Sequence, residues 1–218
     1  MVAERVEDVR RRIASACARS GRSPAEVTLV AVTKGVAAEA IGEAAGAGIG
    51  HLGENRVQEA EAKRAALADL TGVTWHMVGH LQTNKVKTAI GLFDIIHSVD
   101  SFHLAEAISK RASKPIPVFL EVNAGAEPSK HGFALDELPR RHEAISRLPK
   151  IDLRGLMTVA PQTSNPEEVR PVFRRLRNAA ESLGLRELSM GMSDDFEVAV
   201  EEGATFVRIG RAIFGERD

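Results

Sequence analysis

The chain has 218 residues, and its 29 lysines and arginines nearly balance its 30 aspartates and glutamates, giving a formal net charge of −1. That balance argues against a general attraction to nucleic acid or to anionic lipid. A content of 44% hydrophobic and 27% charged residues is typical of a globular protein, and we expect one domain over residues 1–218. Cys17 is the only cysteine, which excludes an internal disulfide and a thiolate metal cluster.

The first elements of the chain predict its location and its first helix. Residues 1–12 are rich in charge where a secretory signal would be apolar, and no apolar run approaches the roughly 20 residues of a membrane helix. We therefore expect a cytoplasmic protein without membrane contact. An amphipathic helix is predicted at about residues 3–19. Its apolar residues recur at helical spacing: Val6, Val9, Ile13 and Cys17.

Short apolar runs then alternate with longer segments that favour helices. The predicted strands are 27–33, 49–53, 73–79, 94–98, 116–123, 152–160, 186–190 and 205–210. The clearest predicted helices between them are 57–70, 102–111, 135–148 and 166–183. Eight nearly continuous apolar strands with crossover helices predict an α/β fold, a single (β/α)8 TIM barrel. A doubly wound open sheet remains the alternative, because strand order is not visible in one sequence.

The most distinctive chemistry lies where the first predicted strand ends. Lys34 follows an apolar strand, where we expect partial desolvation to favour its neutral amine, the form that adds to an aldehyde. The alternative is a lysine that reaches solvent or pairs with a carboxylate such as Glu54.

The last two strands end in sequences that favour phosphate binding. Ser193 is predicted to cap a helix whose first turn holds Asp194 and Asp195, and Gly210 with Arg211 opens another helix. Barrels often bind phosphate in the loops after strands seven and eight. An aldehyde-reactive amine and a phosphate site together match the two ends of pyridoxal 5'-phosphate (PLP).

Seven blocks in order resemble the pyridoxal phosphate homeostasis (YggS/PROSC) family, whose barrel resembles the N-terminal domain of alanine racemase. The blocks are LVAVTKG (29–35), GENRVQEA (53–60), WHMVGHLQTNKVK (75–87), IHSVDS (96–101), FLEVNAGAEPSKHGF (119–133), LRGLMTVAP (153–161) and LSMGMSDDFEVAVEEGATFVRIGRAIFG (188–215).

The resemblance implies roles for individual residues. Lys34 would form a Schiff base with PLP, and Asn55 would line the site. Ser193, Gly210 and Arg211 would hold the phosphate, the latter two chiefly through backbone amides. Arg208 would lie against the pyridine nitrogen, where a permanent cation disfavours protonation and makes the ring a weaker electron sink.

Two positions carry weaker expectations. Many family members have threonine at position 211, where its hydroxyl could bind the phosphate, whereas the Arg211 side chain could supply charge or point to solvent. Lys130 matches a lysine sometimes proposed as a second PLP contact, although a loop lysine is usually solvated.

The composition favours binding over catalysis. Racemisation needs a base on each face of the α-carbon, and alanine racemase supplies a tyrosine from its partner subunit. This sequence has no tyrosine and ends just after the closing barrel motif, so we expect a non-enzymatic PLP carrier or regulator. Expected partners are PLP and apo PLP-dependent enzymes, with the chain a monomer or weak homodimer.

The sequence is also compatible with other functions and sites. One alternative is a small PLP-dependent racemase or lyase that uses His80 or a water as base. By position His76, His80 and His131 are candidates to replace the tyrosine, although each is more typical of a packed or solvated histidine. An aldolase with a Schiff base at Lys34 fits the seven blocks poorly. The GxGxxG pattern at 48–53 coincides with a strand, and His76 and His80 lie on a strand and its loop, so no dinucleotide or metal site is predicted.

Overall fold

The computed structural model describes residues 1–127 and 130–216; four positions of the predicted domain, 128, 129, 217 and 218, lie outside the described residues. The strands are β1 (Thr28–Val32), β2 (His51–Glu54), β3 (Thr74–Met77), β4 (Ile95–Val99), β5 (Ile116–Glu121), β6 (Ile151–Met157), β7 (Glu187–Ser189) and β8 (Phe206–Ile209). The α-helices are α1 (Val2–Arg19), α2 (Ala38–Gly46), α3 (Val57–Ala66), α4 (Val86–Leu92), α5 (Phe102–Arg111), α6 (Leu138–Ser146), α7 (Arg170–Ser182), α8 (Phe196–Glu201) and α9 (Arg211–Phe214).

The eight strands form a closed parallel barrel in chain order. β1 closes the ring by pairing with β8, with Val30 opposite Arg208 and Ala31 opposite Ile209. This closure confirms the predicted (β/α)8 barrel and excludes the open doubly wound sheet. Because all strands run in one direction, their carboxyl ends meet at one mouth of the barrel. Lys34 and Gly210 lie there, just beyond the paired strands β1 and β8.

The predicted N-terminal helix is α1. Its four predicted apolar residues are at most 4% exposed: Val6, Val9, Ile13 and Cys17. They pack mainly against α8, α9 and α2, so the apolar stripe is covered within the chain. The helix stops before Gly21, whose φ of +68° is a conformation that glycine adopts without steric cost.

Several helices begin later in the structure than the sequence predicts. The predicted helix 135–148 begins at Leu138, and 166–183 begins with a 3-10 turn at Pro166–Val169 before α7. In both α6 and α7 a proline lies in the first turn, where its missing N–H costs no helical hydrogen bond. The described part of the chain contains no helix long and apolar enough to cross a membrane.

Candidate functional site

A cleft of about 820 Å³ opens at the carboxyl ends of the strands. All six residues predicted to contact the cofactor line it, as does Lys130: Lys34, Asn55, Ser193, Arg208, Gly210 and Arg211. They come from the ends of β1, β2, β7 and β8, which the barrel closure makes neighbours. The structure therefore brings together residues that lie far apart in the sequence.

Lys34 lies just beyond β1 and is exposed. The expectation that the strand end desolvates this lysine is therefore wrong. Among the residues that the structure describes, none forms a hydrogen bond or an ion pair with its amine. The following Gly35 has a φ of +67°, which turns the chain sharply away from the strand and leaves the lysine at the mouth of the barrel.

A buried ionic cluster lies directly behind Lys34. The Lys63 amine lies 2.6 Å from Glu54 Oε1 and 2.7 Å from Glu59 Oε1, and it also donates to the Thr33 carbonyl. Glu54 thus pairs with Lys63, so the alternative of a Lys34–Glu54 pair is wrong. Burial raises the pKa of the Glu54 carboxyl, against the opposing hydrogen bonds from Lys63 and Thr33.

The cluster also fixes the turn that carries Lys34. Glu59 accepts a hydrogen bond from the Gly35 amide, while Lys63 holds the carbonyl of Thr33 on the other side of Lys34. Sequence reasoning missed this support. The i, i+4 spacing of Glu59 and Lys63 on α3 was a signal that could have revealed it.

Asn55 follows β2 and depends on a close backbone approach from the next strand end. A Cβ placed on Gly79 would lie 2.5 Å from the Asn55 carbonyl oxygen, well inside a van der Waals contact. Only glycine at position 79 therefore lets the β3 loop pack against Asn55 and hold it at the cleft.

Arg208 lies on β8, in the floor of the cleft, and is 4% exposed. Its guanidinium donates to Ser189 Oγ at 2.7 Å and to the Thr158 carbonyl at 2.8 Å. Burial lowers the pKa of Arg208 to about 10, while Asp195 and Glu121 oppose that shift. The side chain consequently remains a cation at neutral pH, and its remaining N–H groups are available to the cleft.

Ser193 and the start of α9 form the other end of the cleft. The predicted role of Ser193 as a helix cap for the following helix is wrong, because α8 begins later, with Asp195 as its N-cap, and Asp195 accepts from the Met192 amide at 2.6 Å. Ser193 Oγ instead accepts from the Ala212 amide in α9 at 3.2 Å. The predicted helix opening at Gly210 is confirmed, since Gly210 is the N-cap of α9.

The two other cationic side chains of the cleft have carboxylate partners. Arg211 is exposed and forms an ion pair with Asp194, so its charge is directed along the rim. Lys130 lies 2.5 Å from Glu127 Oε1 and 3.3 Å from the Val159 carbonyl oxygen. Lys34 differs from both in having no such partner among the described residues.

The histidines considered as catalytic bases lie outside this cleft. His76 is fully buried, and burial lowers its pKa to about 3, so it cannot act as a base on a substrate in the cleft. His80 and His131 are exposed near Asp100, and these three residues could gather around a metal ion. Their grouping was not predicted. The two rings stack 4.4 Å apart at 19°, and one ring must turn before a single ion can lie in both ring planes.

Comparisons with known proteins cover nearly the whole chain. The family model described as alanine racemase, N-terminal domain, matches residues 6–218. A pyridoxal phosphate homeostasis protein of Aquifex aeolicus is 47% identical, over 98% of this chain and 97% of its own. The protein of that name from Pseudomonas aeruginosa is 44% identical, over 100% of this chain and 96% of its own.

Solved structures give the same relationship. PipY of Synechococcus elongatus with PLP bound superposes with a TM-score of 0.86 at 39% identity, over 99% of this chain and 100% of that chain. Alanine racemase from Corynebacterium glutamicum superposes with a TM-score of 0.72 at 19% identity, over 99% of this chain and 62% of the racemase. At that identity the racemase shows only the shared barrel.

Proposed function

This chain belongs to the pyridoxal phosphate homeostasis protein family, and from that premise we propose that it holds PLP reversibly as a Schiff base on Lys34 and serves PLP homeostasis. The observation that carries the proposal is a lysine amine that has no partner among the described residues, in a cleft that also contains a buried arginine and a serine hydroxyl beside the start of α9. The name of the relatives and the PLP-bound PipY structure support the same ligand.

The donor groups of the cleft fit the three polar parts of PLP. Lys34 offers an amine for the aldehyde, and Arg208 offers N–H groups for the pyridine nitrogen. Ser193 and the amides of Gly210 and Arg211 offer donors for the phosphate, because the first amides of a helix have no partner within it. A volume of about 820 Å³ lies within the usual range for small-molecule sites.

Lys34 is suited to reversible capture. Its amine adds to the aldehyde carbon, water leaves, and a C=N bond replaces the C=O bond. Release requires water to add back, and the exposure of Lys34 gives water that access. A deeply buried lysine would slow this exchange, so the open site favours a carrier over a tightly sealed catalytic centre.

The other cleft residues support binding without an amino-acid reaction. When bound, PLP supplies an electron sink, and the Arg208 cation opposes protonation of its pyridine nitrogen, which weakens that sink. None of the three histidines weighed as bases lines the cleft. We therefore propose that the chain acts as a non-enzymatic carrier in the cytoplasm and passes PLP to apo-enzymes. The cleft observations favour neither the racemase nor the aldolase alternative.

Absorbance spectroscopy with borohydride trapping tests the proposal. PLP added to the purified protein should produce a Schiff-base band, and reduction followed by peptide mapping should place the label on residue 34. Lys34→Ala should lose the band, while Lys130→Ala, which changes the partnered lysine of the same cleft, should still be labelled at residue 34. A label on Lys130 in the unmodified protein, or an unchanged band in Lys34→Ala, would refute the assignment.

A further inference from the structure

Three histidines from neighbouring strands form a continuous chain through the barrel interior. His51 Nδ1 lies 2.9 Å from His76 Nε2, and His76 Nδ1 lies 2.9 Å from His97 Nε2. His97 Nδ1 then lies 2.7 Å from Ser189 Oγ, which accepts from Arg208. This row of hydrogen bonds thus joins the half-buried His51, at the start of β2, to the floor of the cleft.

Arg208 determines which atom donates in each of these hydrogen bonds. A guanidinium has no acceptor atom, so the Ser189 oxygen must accept from it. Within the described part of the chain, the other hydrogen-bond partner of Ser189 Oγ is His97 Nδ1. A buried hydroxyl hydrogen without an acceptor is costly, so Ser189 donates to His97 Nδ1.

The remaining tautomers follow one after another. His97 accepts at Nδ1, so in its neutral form it carries its proton on Nε2 and donates to His76 Nδ1. His76 then carries its proton on Nε2 and donates to His51 Nδ1. His51 in turn must be protonated on Nε2. Moving the proton of the central His76 to Nδ1 would place two donors against each other on one side of its ring and two acceptors on the other.

The surroundings keep the central histidines neutral. His76 and His97 are both 0% exposed. The His97 ring stacks on Phe119 at 4.5 Å and meets Phe206 edge-on at 5.6 Å. The charged groups that act on this end of the chain are Arg208 itself and the carboxylates of Asp195 and Glu121 that oppose its pKa shift. Burial, with the nearby Arg208 cation, lowers the pKa of His97 well below its usual value.

We propose that His51, His76, His97 and Ser189 form a one-directional hydrogen-bond relay that positions the Arg208 guanidinium in the cleft, with all three histidines held as neutral Nε2–H tautomers. These are positioning residues, since they act through Arg208. The relay rests on contacts within the chain, and only its consequence for PLP depends on the proposed function. Arg208 needs such support because a buried guanidinium is stable only when hydrogen bonds hold it, here those to Ser189 and Thr158.

Histidine tautomers are measured by long-range ¹H–¹⁵N correlation on the labelled protein without PLP, near neutral pH. We expect the Nε2–H pattern at all three histidines. Ser189→Ala removes the hydroxyl that fixes the direction, and it should convert all three, including the remote His51, into tautomer mixtures. Ser189→Thr keeps the hydroxyl and should restore the single pattern.

Ser98→Ala is the matched control. Ser98 is fully buried and follows His97 in the sequence, and within residues 1–127 and 130–216 its Oγ has no hydrogen-bond partner. Its replacement should leave the three tautomers unchanged. An Nδ1–H pattern at His97 in the unmodified protein, or an unchanged His51 pattern in Ser189→Ala, would overturn the relay.

A PLP titration separates the relay from the proposed function. Ser189→Ala should weaken PLP binding roughly tenfold relative to Ser98→Ala, the change that one misplaced charged hydrogen bond produces. If the tautomers behave as expected but the unmodified protein binds no PLP, the proposed function fails while the relay stands. Equal PLP affinity in the two variants would refute the positioning of Arg208 by Ser189.

Discussion

Replacing Lys63 with methionine tests the buried cluster behind Lys34. The substitution keeps most of the side-chain volume but removes the ammonium that contacts Glu54 at 2.6 Å. Glu54 is 0% exposed, and its Oε2 already has no hydrogen-bond partner among the residues described. Loss of one partner of a buried pair typically costs about 3–5 kcal/mol because the other charge stays uncompensated.

Protonation of Glu54 limits how much stability Lys63→Met can remove, because a neutral carboxyl no longer needs the ammonium. From the ordinary glutamate pKa of 4.5, taking up a proton costs about 4 kcal/mol at pH 7.5 but only about 1.4 kcal/mol at pH 5.5. We therefore expect Lys63→Met to lower the free energy of unfolding by about 3–4 kcal/mol at pH 7.5 and by less than half of that at pH 5.5. The sign follows because a carboxyl whose pKa is raised in the folded state binds a proton that the unfolded chain releases, so stability falls as the pH rises.

Urea denaturation at the two pH values measures the effect. Lys87→Met, at an exposed position on α4, is the control and should change the unfolding free energy little at either pH. The double variant Glu54→Gln/Lys63→Met should regain much of the loss, because it removes the uncompensated charge as well. A loss at pH 7.5 below about 1 kcal/mol, the usual size for an exposed pair, would refute the reasoning.

Three further predictions concern the barrel and the cleft. Gly155→Ala places a Cβ 1.9 Å from the Glu187 carbonyl oxygen, so we expect a marked fall in thermal stability; an unchanged melting temperature would contradict this. Ser193→Ala should weaken PLP binding about tenfold in a fluorescence titration by removing a hydroxyl donor to the phosphate, and unaltered affinity would exclude that contact. Burial raises the pKa of Glu202, but hydrogen bonds from Arg174 and Arg170 lower it by more. Glu202→Gln should therefore lower the free energy of unfolding at pH 7 and change it little at pH 3. The reason is that the stabilisation by the Glu202 carboxylate is lost as the pH falls through its folded-state pKa.

The barrel and the position of its cleft could be predicted because both depend on local patterns. Apolar runs of strand length, separated by helix-forming segments, leave few architectures open, and the strand ends of a barrel share one face. Lys34, Arg208 and Gly210 could therefore be placed together before their neighbours were known.

The partners of these residues could not be predicted, because they depend on register between strands and loops. Ser193 looked like the cap of the next helix, yet its oxygen accepts from the amide of Ala212, in the later helix α9. The exposure of Lys34 likewise depends on how Thr33 and Gly35 are held by α3. The spacing of residues in the sequence therefore predicts strands, helices and the face that holds the cleft, but not the hydrogen-bond partners of individual side chains.

The pairing of β1 with β8 has a consequence for the order of events during synthesis. Lys34 leaves the ribosome well before Arg208 and the α9 amides. At about 5–20 residues per second, the interval is on the order of ten seconds or more. A growing polypeptide can therefore display the amine without the groups opposite it, and retention of the vitamer must wait until translation has delivered the final strand.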